Sequence, residues 1–97
     1  MTNVSDEVVL KSVGARIRTL RKQAGMSLQD LAYRIGMEKS NLSVIENGKS
    51  NPQLLTFAKI ASALGISLSY LLEIPLDLSN FNEAPSEYKP RKHKSQN

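Results

Sequence analysis

Apolar residues recur every three or four positions from the start of the chain, which is the spacing of an amphipathic helix. Ser5 precedes an acidic first turn, as expected of a helix N-cap, and Gly25 follows the last apolar position, as expected of a helix end. The pattern therefore predicts one helix between these two residues. Its apolar stripe consists of Leu10, Val13, Ile17, Leu20 and Ala24, and its exposed face of Lys11, Arg16, Arg18 and Lys22.

Two shorter helices follow, separated by a glycine. Ser27 with Asp30 three residues later matches a capping box, and Gly36 ends the helix that Ser27 starts. A third helix, "EKSNLSVIEN", then continues to a break at Gly48 and Pro52. The apolar residues that these two helices turn inward are Leu28, Leu31, Ala32, Ile35, Leu42 and Ile45.

Two further helices complete the pattern. Asn51 and Pro52 predict a cap and first-turn pair for a fourth helix that ends at Gly65, and Ser67 predicts the cap of a short fifth helix. The sequence shows no strand-like alternation, so the expected fold is all-α. The apolar residues of these last helices are Leu54, Phe57, Ala58, Ala61 and Leu64, then Leu68, Leu71 and Leu72.

The character of the chain changes at residue 74. Residues 1–73 form the predicted helical domain, whereas residues 74–97 contain three of the four prolines and the basic run "KPRKHK". The composition of residues 82–97 predicts a flexible tail. The part before this tail is too apolar for a free linker, and we expect it to lie against a surface. Its large apolar residues are Leu76, Leu78 and Phe81.

The composition limits the function classes. The 97 residues include no cysteine, which excludes disulfides and thiolate chemistry. The N-terminus lacks the features of a signal peptide and no segment reaches the roughly 20 apolar residues of a membrane span, so we expect a cytoplasmic protein. A net charge of +4 favours polyanionic partners, because basic surfaces release counterions from phosphates when they bind.

Catalytic chemistry finds no support in the sequence. The acidic residues are scattered over different predicted helices or serve as caps, and the single histidine, His93, lies in the basic tail. The sequence shows no paired carboxylates, no cluster with metal-ligand spacing and no glycine-rich phosphate loop. We therefore expect neither an enzyme nor a bound metal or other cofactor.

The second and third predicted helices fit a helix-turn-helix, in which two helices cross steeply around a tight turn. Ala32 is small where the helices pass closely, and Gly36 permits a positive φ in the turn. The outward side chains of the third helix are small, polar and nearly uncharged, whereas the neighbouring segments are basic. A helix that enters a groove about 12 Å wide needs such side chains to meet base edges, while charge serves the flanking phosphates.

The segment "SLQDLAYRIGMEKSNLSVIENGKSNP", followed by "LLTFAKIASALGISLSYLL", resembles the Cro and lambda-repressor-like family, also called the XRE family. The resemblance covers about residues 12–73. It implies a compact bundle of five helices, and it implies that the third helix, which starts near Glu38, enters the major groove of DNA.

The resemblance also assigns roles to individual residues. Arg21 and Glu46 match a pair that forms a structural salt bridge between the first helix and the end of the third in several family members. Lys39 can donate to guanine O6 or N7, and Val44 can contact a thymine methyl group. The base-reading positions of the family correspond to Lys39, Ser40, Ser43 and Val44, and its phosphate-facing positions to Ser27, Asn47, Lys49 and Asn51.

Two residues depart from the family pattern. Most relatives carry Gln where Leu28 stands, and this Gln bonds a phosphate or a neighbouring base-reading residue, which Leu28 cannot do. Relatives usually carry Ser or Thr where Glu38 stands, as the cap of the recognition helix. Glu38 suits the positive end of a helix dipole, but it would repel a phosphate unless it accepts from a cytosine amine.

The predicted function is a sequence-specific DNA-binding transcriptional regulator, most simply a repressor, that binds double-stranded DNA as a homodimer. One recognition helix spans only a few base pairs, and the family pairs two copies about 34 Å apart. Two alternatives remain, namely an antitoxin that binds its toxin through residues 74–97 and a protein-interaction adaptor on a helix-turn-helix scaffold. The apolar residues expected at the dimer interface are Tyr70, Leu71, Ile74, Leu76, Leu78 and Phe81.

Overall fold

The computed structural model describes residues 5–76, and within this range the chain forms helices and no strand. The all-α expectation is confirmed. The predicted interface residues Leu78 and Phe81 and the predicted tail, residues 82–97, lie outside the described residues, and the proposed boundary at residue 73 stays a prediction. The helices are α1 (Asp6–Gln23), α2 (Leu28–Arg34), α3 (Lys39–Glu46), α4 (Leu54–Leu64) and α5 (Leu68–Leu71).

Three serines cap helices as the sequence predicts. The Oγ atom of Ser5 accepts a hydrogen bond from the backbone N–H of Val8, and the Oγ atom of Ser67 accepts one from Tyr70 at 3.0 Å. Ser27 begins α2 with a complete capping box. Each bond satisfies a backbone donor that the first turn of a helix leaves without an intrahelical partner.

The start of α4 differs from the prediction. Gln53 occupies the N-cap position, whereas Asn51 and Pro52 belong to the preceding loop and do not cap the helix. The predicted apolar stripe is also wrong at its first member, because Leu54 is 63% exposed. Ile60, which the predicted stripe omits, is fully buried. Periodicity identifies the apolar side of a helix, but only the neighbouring helices decide how far along that side the core extends.

The core lies between the five helices, where α1 packs against α3, α4 and α5, and α2 packs against α3 and α4. Its apolar members come from all five helices, and Arg21 and Glu46 are buried beside them. Ala24, which was predicted to belong to the stripe of α1, is exposed at the C-cap, where the helix has already ended. The buried apolar residues are Val13, Ile17, Leu20, Leu31, Ala32, Leu42, Ile45, Ile60, Ala61 and Leu71.

The contact between α1 and α5 corrects two further predictions. Arg16 was expected on an exposed face, yet it is half-buried, its Nη2 donates to the backbone oxygen of Tyr70 at 2.7 Å, and its guanidinium carbon lies 4.5 Å from the Tyr70 ring centroid. Leu71 was expected at a dimer interface, but it is 0% exposed inside the monomer core. A residue without accessible surface has none to bury against a second copy.

Candidate nucleic-acid interface

The helices α2 and α3 are joined by a tight turn whose backbone geometry is fixed locally. Gly36 has a φ of +69°, the left-handed conformation that side chains disfavour. The backbone N–H of Met37 donates to the oxygen of Ala32 at 2.9 Å, which satisfies a carbonyl at the end of α2. Ala32 and Leu42 are buried between the two helices and the rest of the core. The two helices therefore form a helix-turn-helix.

The outward side of α3 carries the four residues predicted to read bases. Lys39 and Ser40 are exposed, Val44 is 39% exposed and Ser43 is half-buried. Within residues 5–76 the side chains of Lys39 and Ser40 make no hydrogen bond, so their polar groups are available to a ligand. A shallow, open cavity of about 290 Å³ lies beside Val44. Its lining residues are Met37, Asn41, Val44, Ile45, Ser50, Asn51, Pro52 and Thr56.

The loop after α3 carries three of the residues predicted to face phosphates, and Asn47, Lys49 and Asn51 are all exposed. The loop is held at its start, because the backbone N–H groups of Gly48 and Lys49 donate to the oxygens of Ile45 and Val44 at 3.0 Å each. Gly48 has a φ of +71°, and an added Cβ would lie 2.5 Å from the Cα atom of Lys11. The start of the loop, at Gly48, therefore packs directly against α1.

Ser27, the fourth residue predicted to face a phosphate, lies at the start of α2. Its Oγ atom accepts from the backbone N–H of Asp30 at 3.0 Å, and a carboxylate oxygen of Asp30 accepts from the backbone N–H of Ser27 at 3.0 Å. This second hydrogen bond is the main reason why the pKa of Asp30 lies below its ordinary value. The capping box uses one lone pair of the hydroxyl and leaves its second for other partners.

The predicted salt bridge between Arg21 and Glu46 is present behind α3. The Nε atom of Arg21 lies 2.7 Å from one carboxylate oxygen of Glu46, and its Nη2 atom lies 3.0 Å from the other. The side chains are 9% and 2% exposed, respectively. Hydrogen bonding to Glu46 raises the pKa of Arg21. Arg21 also donates to the backbone oxygen of Met26 at 2.9 Å, so one guanidinium joins α1, the end of α3 and the approach to α2.

Sequence reasoning missed two residues that support this surface. Gly14 lies within α1, and an added Cβ would be 2.5 Å from the backbone oxygens of Ile45 and Glu46. An isolated glycine inside a strong helical pattern is a signal of close packing, and it was available in the sequence. Arg18 was assigned to the exposed face of α1, yet its Nη2 atom donates to Oδ1 of Asn47 at 2.7 Å. No local pattern identifies that contact, because 29 positions separate the two residues.

Other kinds of site receive no support in the described part of the chain. Residues 5–76 contain no group of three or more His, Cys, Asp or Glu residues that could hold a metal ion. Among the helices in that range, none combines the length and the apolarity that crossing a membrane requires. The candidate interface is thus the outward side of α3 with the loop after it and the start of α2.

Comparison with known proteins gives matches over this same region. A helix-turn-helix family model, HTH_3, matches residues 17–71. The HTH-type transcriptional regulator SinR of Bacillus subtilis is 40% identical over 62 residues, which cover 63% of this chain and 56% of SinR. The immunity repressor protein of Bacillus phage phi105 is 31% identical over 83 residues, which cover 86% of this chain and 56% of the repressor.

A solved structure agrees with the architecture. The crystal structure of SinR, the master regulator for biofilm formation, in complex with DNA superposes with a TM-score of 0.58 at 40% sequence identity. The match covers 63% of this chain and 98% of that one. The chain spans about half the length of the two curated relatives. With its helix-turn-helix geometry and a family match over more than half of its residues, this chain belongs to the helix-turn-helix family.

Proposed function

We propose that this protein is a sequence-specific DNA-binding transcriptional regulator that reads the major groove with α3. The observation that carries the proposal is the contrast between the two sides of that helix. One side is anchored in the core, whereas the other presents Lys39, Ser40, Ser43 and Val44. Polar and small apolar side chains on an anchored helix suit base edges. The relative whose structure contains DNA is 40% identical and covers 63% of this chain.

Each side chain on this reading surface has chemistry that fits a base edge. Lys39 donates only, which matches the O6 and N7 acceptors of guanine. Ser40 and Ser43 have hydroxyls that donate and accept. Val44 borders an open cavity with apolar walls from Met37 and Pro52, a setting that suits the methyl group of thymine. Regulation as a repressor is the simplest outcome, because a protein bound at an operator excludes polymerase.

Phosphate contacts are proposed for the residues that flank the reading surface. Lys49 supplies a positive charge from a loop whose backbone is fixed at its start. Asn47, Asn51 and Ser27 are exposed and supply neutral donors. Such contacts add affinity for any DNA sequence and fix the register of the helix on the duplex.

Selection of bound sequences from random double-stranded DNA tests the proposal. We expect one recovered consensus for the full chain and altered preference at single base positions in Lys39→Ala, Ser40→Ala, Ser43→Ala and Val44→Ala. The loss at one position should be about 1–3 kcal/mol. If the consensus stays the same in all four variants, α3 is not the reader. Failure to recover any consensus would contradict sequence-specific binding.

The salt dependence of binding tests the role of Lys49. Replacement of Lys49 by Ala should weaken binding to every sequence alike and lower the slope of log affinity against log salt by about 1 for each bound protomer. Arg34→Gln removes the same charge from the far end of α2, where Arg34 borders Ser62 and Ala63 of α4. This control should keep the slope of the wild-type protein. An unchanged slope in Lys49→Ala would remove Lys49 from the phosphate contacts.

We also propose that two copies act together through the surface after α5. Leu71 is buried in the core and cannot contribute to this interface. The described residues that can contribute are Tyr70, which is 46% exposed, and the half-buried Ile74 and Leu76. An open cavity of about 320 Å³ lies beside this surface, between α1 and residues 73–75. Sedimentation of the full chain at micromolar concentration should give a dimer that Leu76→Arg dissociates. A monomer with and without operator DNA would contradict this interface.

A further inference from the structure

A second arginine of α1 contacts the end of α3, one helical turn before Arg21. The Nε atom of Arg18 lies 3.4 Å from a carboxylate oxygen of Glu46, and its Nη2 atom donates to Oδ1 of Asn47 at 2.7 Å. The side chain is 41% exposed, whereas that of Glu46 is 2% exposed. Arg18 therefore extends from the buried ion pair to the surface of the candidate interface.

This contact determines which end of the Asn47 amide faces Arg18. A guanidinium only donates, so the group nearest to it must be the amide oxygen. The Nδ2 atom of Asn47 consequently lies on the other side, where it donates one hydrogen to Oγ of Ser43 at 3.4 Å. Its second hydrogen makes no hydrogen bond within residues 5–76. The opposite orientation would place the amide hydrogens of Asn47 against the hydrogens of Arg18. The 2.7 Å bond is short and charge-assisted, which is the stronger class of hydrogen bond.

We propose that Arg18 is a positioning residue that orients Asn47 so that its second amide hydrogen, the one not donated to Ser43, is available to a DNA phosphate. The inference rests on the proposed function and adds a specific task to it. Phosphate oxygens accept hydrogen bonds and do not donate, so they pair with the amide nitrogen and repel the amide oxygen. Because Glu46 is itself held by Arg21, the orientation of Asn47 is coupled to the buried ion pair through Arg18.

The planar shape of the guanidinium explains why this position suits arginine. Two separate donors reach two different acceptors, Glu46 and Asn47, from one rigid group. A lysine ammonium carries the same charge as a single point on a flexible stem, and it lacks the two-pronged geometry. Arg18→Lys therefore keeps the positive charge and removes the two-pronged hydrogen bonding, so it distinguishes a positioning role from a purely electrostatic one.

A double-mutant cycle in the full chain tests the coupling. We expect Arg18→Gln and Asn47→Ala each to weaken operator binding about tenfold, and we expect the double variant to be weakened about tenfold rather than a hundredfold. Arg18→Lys should lose several-fold while it keeps the wild-type salt slope. Arg34→Gln makes the same substitution away from the contact and should bind as the wild type does. Additive losses in the cycle, or wild-type affinity in Arg18→Lys, would overturn the proposal.

Nuclear magnetic resonance of the free protein gives an independent test that needs no DNA. The side-chain amide signals of Asn47 should shift and exchange faster with water in Arg18→Lys. Those of Asn41, whose exposed side chain makes no hydrogen bond within residues 5–76, should stay unchanged and serve as the control. Unchanged Asn47 signals would overturn the positioning role. Altered Asn47 signals in a protein that binds no DNA would instead contradict the proposed function and leave the contact intact.

Discussion

The two ends of α3 are held in different ways. At the C-terminal end, Glu46 is buried against Arg21, and the backbone of Ile45 and Glu46 packs on Gly14 of α1. At the N-terminal end, Glu38 occupies the cap position without a side-chain hydrogen bond to the helix. Side chains from another helix therefore anchor one end, whereas local backbone contacts of the turn hold the other.

This difference shows how a short helix can be held firmly in the fold and still present side chains to a ligand. A helix of two turns has little stability of its own, so its orientation must come from tertiary contacts. The contacts at Glu46 lie behind the helix and leave Lys39 and Ser40 at the opposite end free of intramolecular bonds within the described chain. Single substitutions can therefore remove or add support at each end separately.

The largest effect is expected at the buried ion pair. Glu46→Ala leaves the Arg21 charge buried without its carboxylate partner, and we expect a loss of about 3–5 kcal/mol in the free energy of unfolding, measured by urea denaturation. The matched control is Glu7→Ala, which breaks the exposed Glu7–Lys11 pair of 3.2 Å and should cost no more than about 0.5 kcal/mol.

A paired substitution completes this experiment. The double variant Arg21→Met with Glu46→Leu removes both charges, and it should be more stable than either charge-deleting variant alone. Equal losses for Glu46→Ala and Glu7→Ala would show that the buried pair does not anchor α3.

The close approach at Gly14 should have the next largest effect. Helix propensity alone predicts that Gly14→Ala stabilises α1 by about 1 kcal/mol. The added Cβ, however, would lie 2.5 Å from two backbone oxygens of α3, so we expect a net loss of about 1–3 kcal/mol instead. Thermal denaturation will show whether Gly14→Ala lowers or raises the stability of the fold. A gain in stability would mean that α1 and α3 can separate without cost.

Support added at the other end of α3 should give a smaller change of opposite sign. Glu38→Ser introduces a side chain that caps the helix, and we expect stabilisation by about 0.5–1 kcal/mol. Gln53→Ser is the matched control, because α4 also lacks a side-chain cap hydrogen bond. Hydrogen exchange should slow only in the first turn of the helix that is capped. If hydrogen exchange in the first turn of α3 and of α4 is unchanged in the two variants, the lack of a side-chain cap does not limit the stability of these helix ends.

The smallest effect concerns acid stability at the start of α2. The pKa of Asp30 is lowered in the folded protein, mainly by the hydrogen bond from the backbone N–H of Ser27. The capping box should therefore stabilise the fold above the ordinary pKa of an aspartate, about 3.9, and lose this contribution as the pH falls below it. Asp30→Asn should not show this acid-dependent loss in thermal melts. A constant difference from the wild type across about pH 2–6 would contradict the linkage.

Much of the fold could be predicted from local signals. Ser5, Ser27 and Ser67 begin helices because a hydroxyl next to an amphipathic pattern satisfies free backbone donors. Gly36 marks the turn, since a residue without Cβ adopts the positive φ found there at little cost. The resemblance added Arg21 and Glu46, which no local rule connects across 25 positions. The contacts of Lys39, Ser40, Ser43 and Val44 with bases stay a prediction.

The sequence by itself determined which segments become helices, which sides of them are apolar and where the chain turns, because these properties depend on residues within one or two turns. Only the tertiary structure decided that Leu71 is core, that Leu54 is exposed and that Gly14 touches the backbone of α3. The same holds for Arg18, whose side chain reaches Asn47 because α1 crosses behind α3. These outcomes depend on how separate helices cross, and the free energy that fixes a crossing comes from burial shared among residues far apart in the chain.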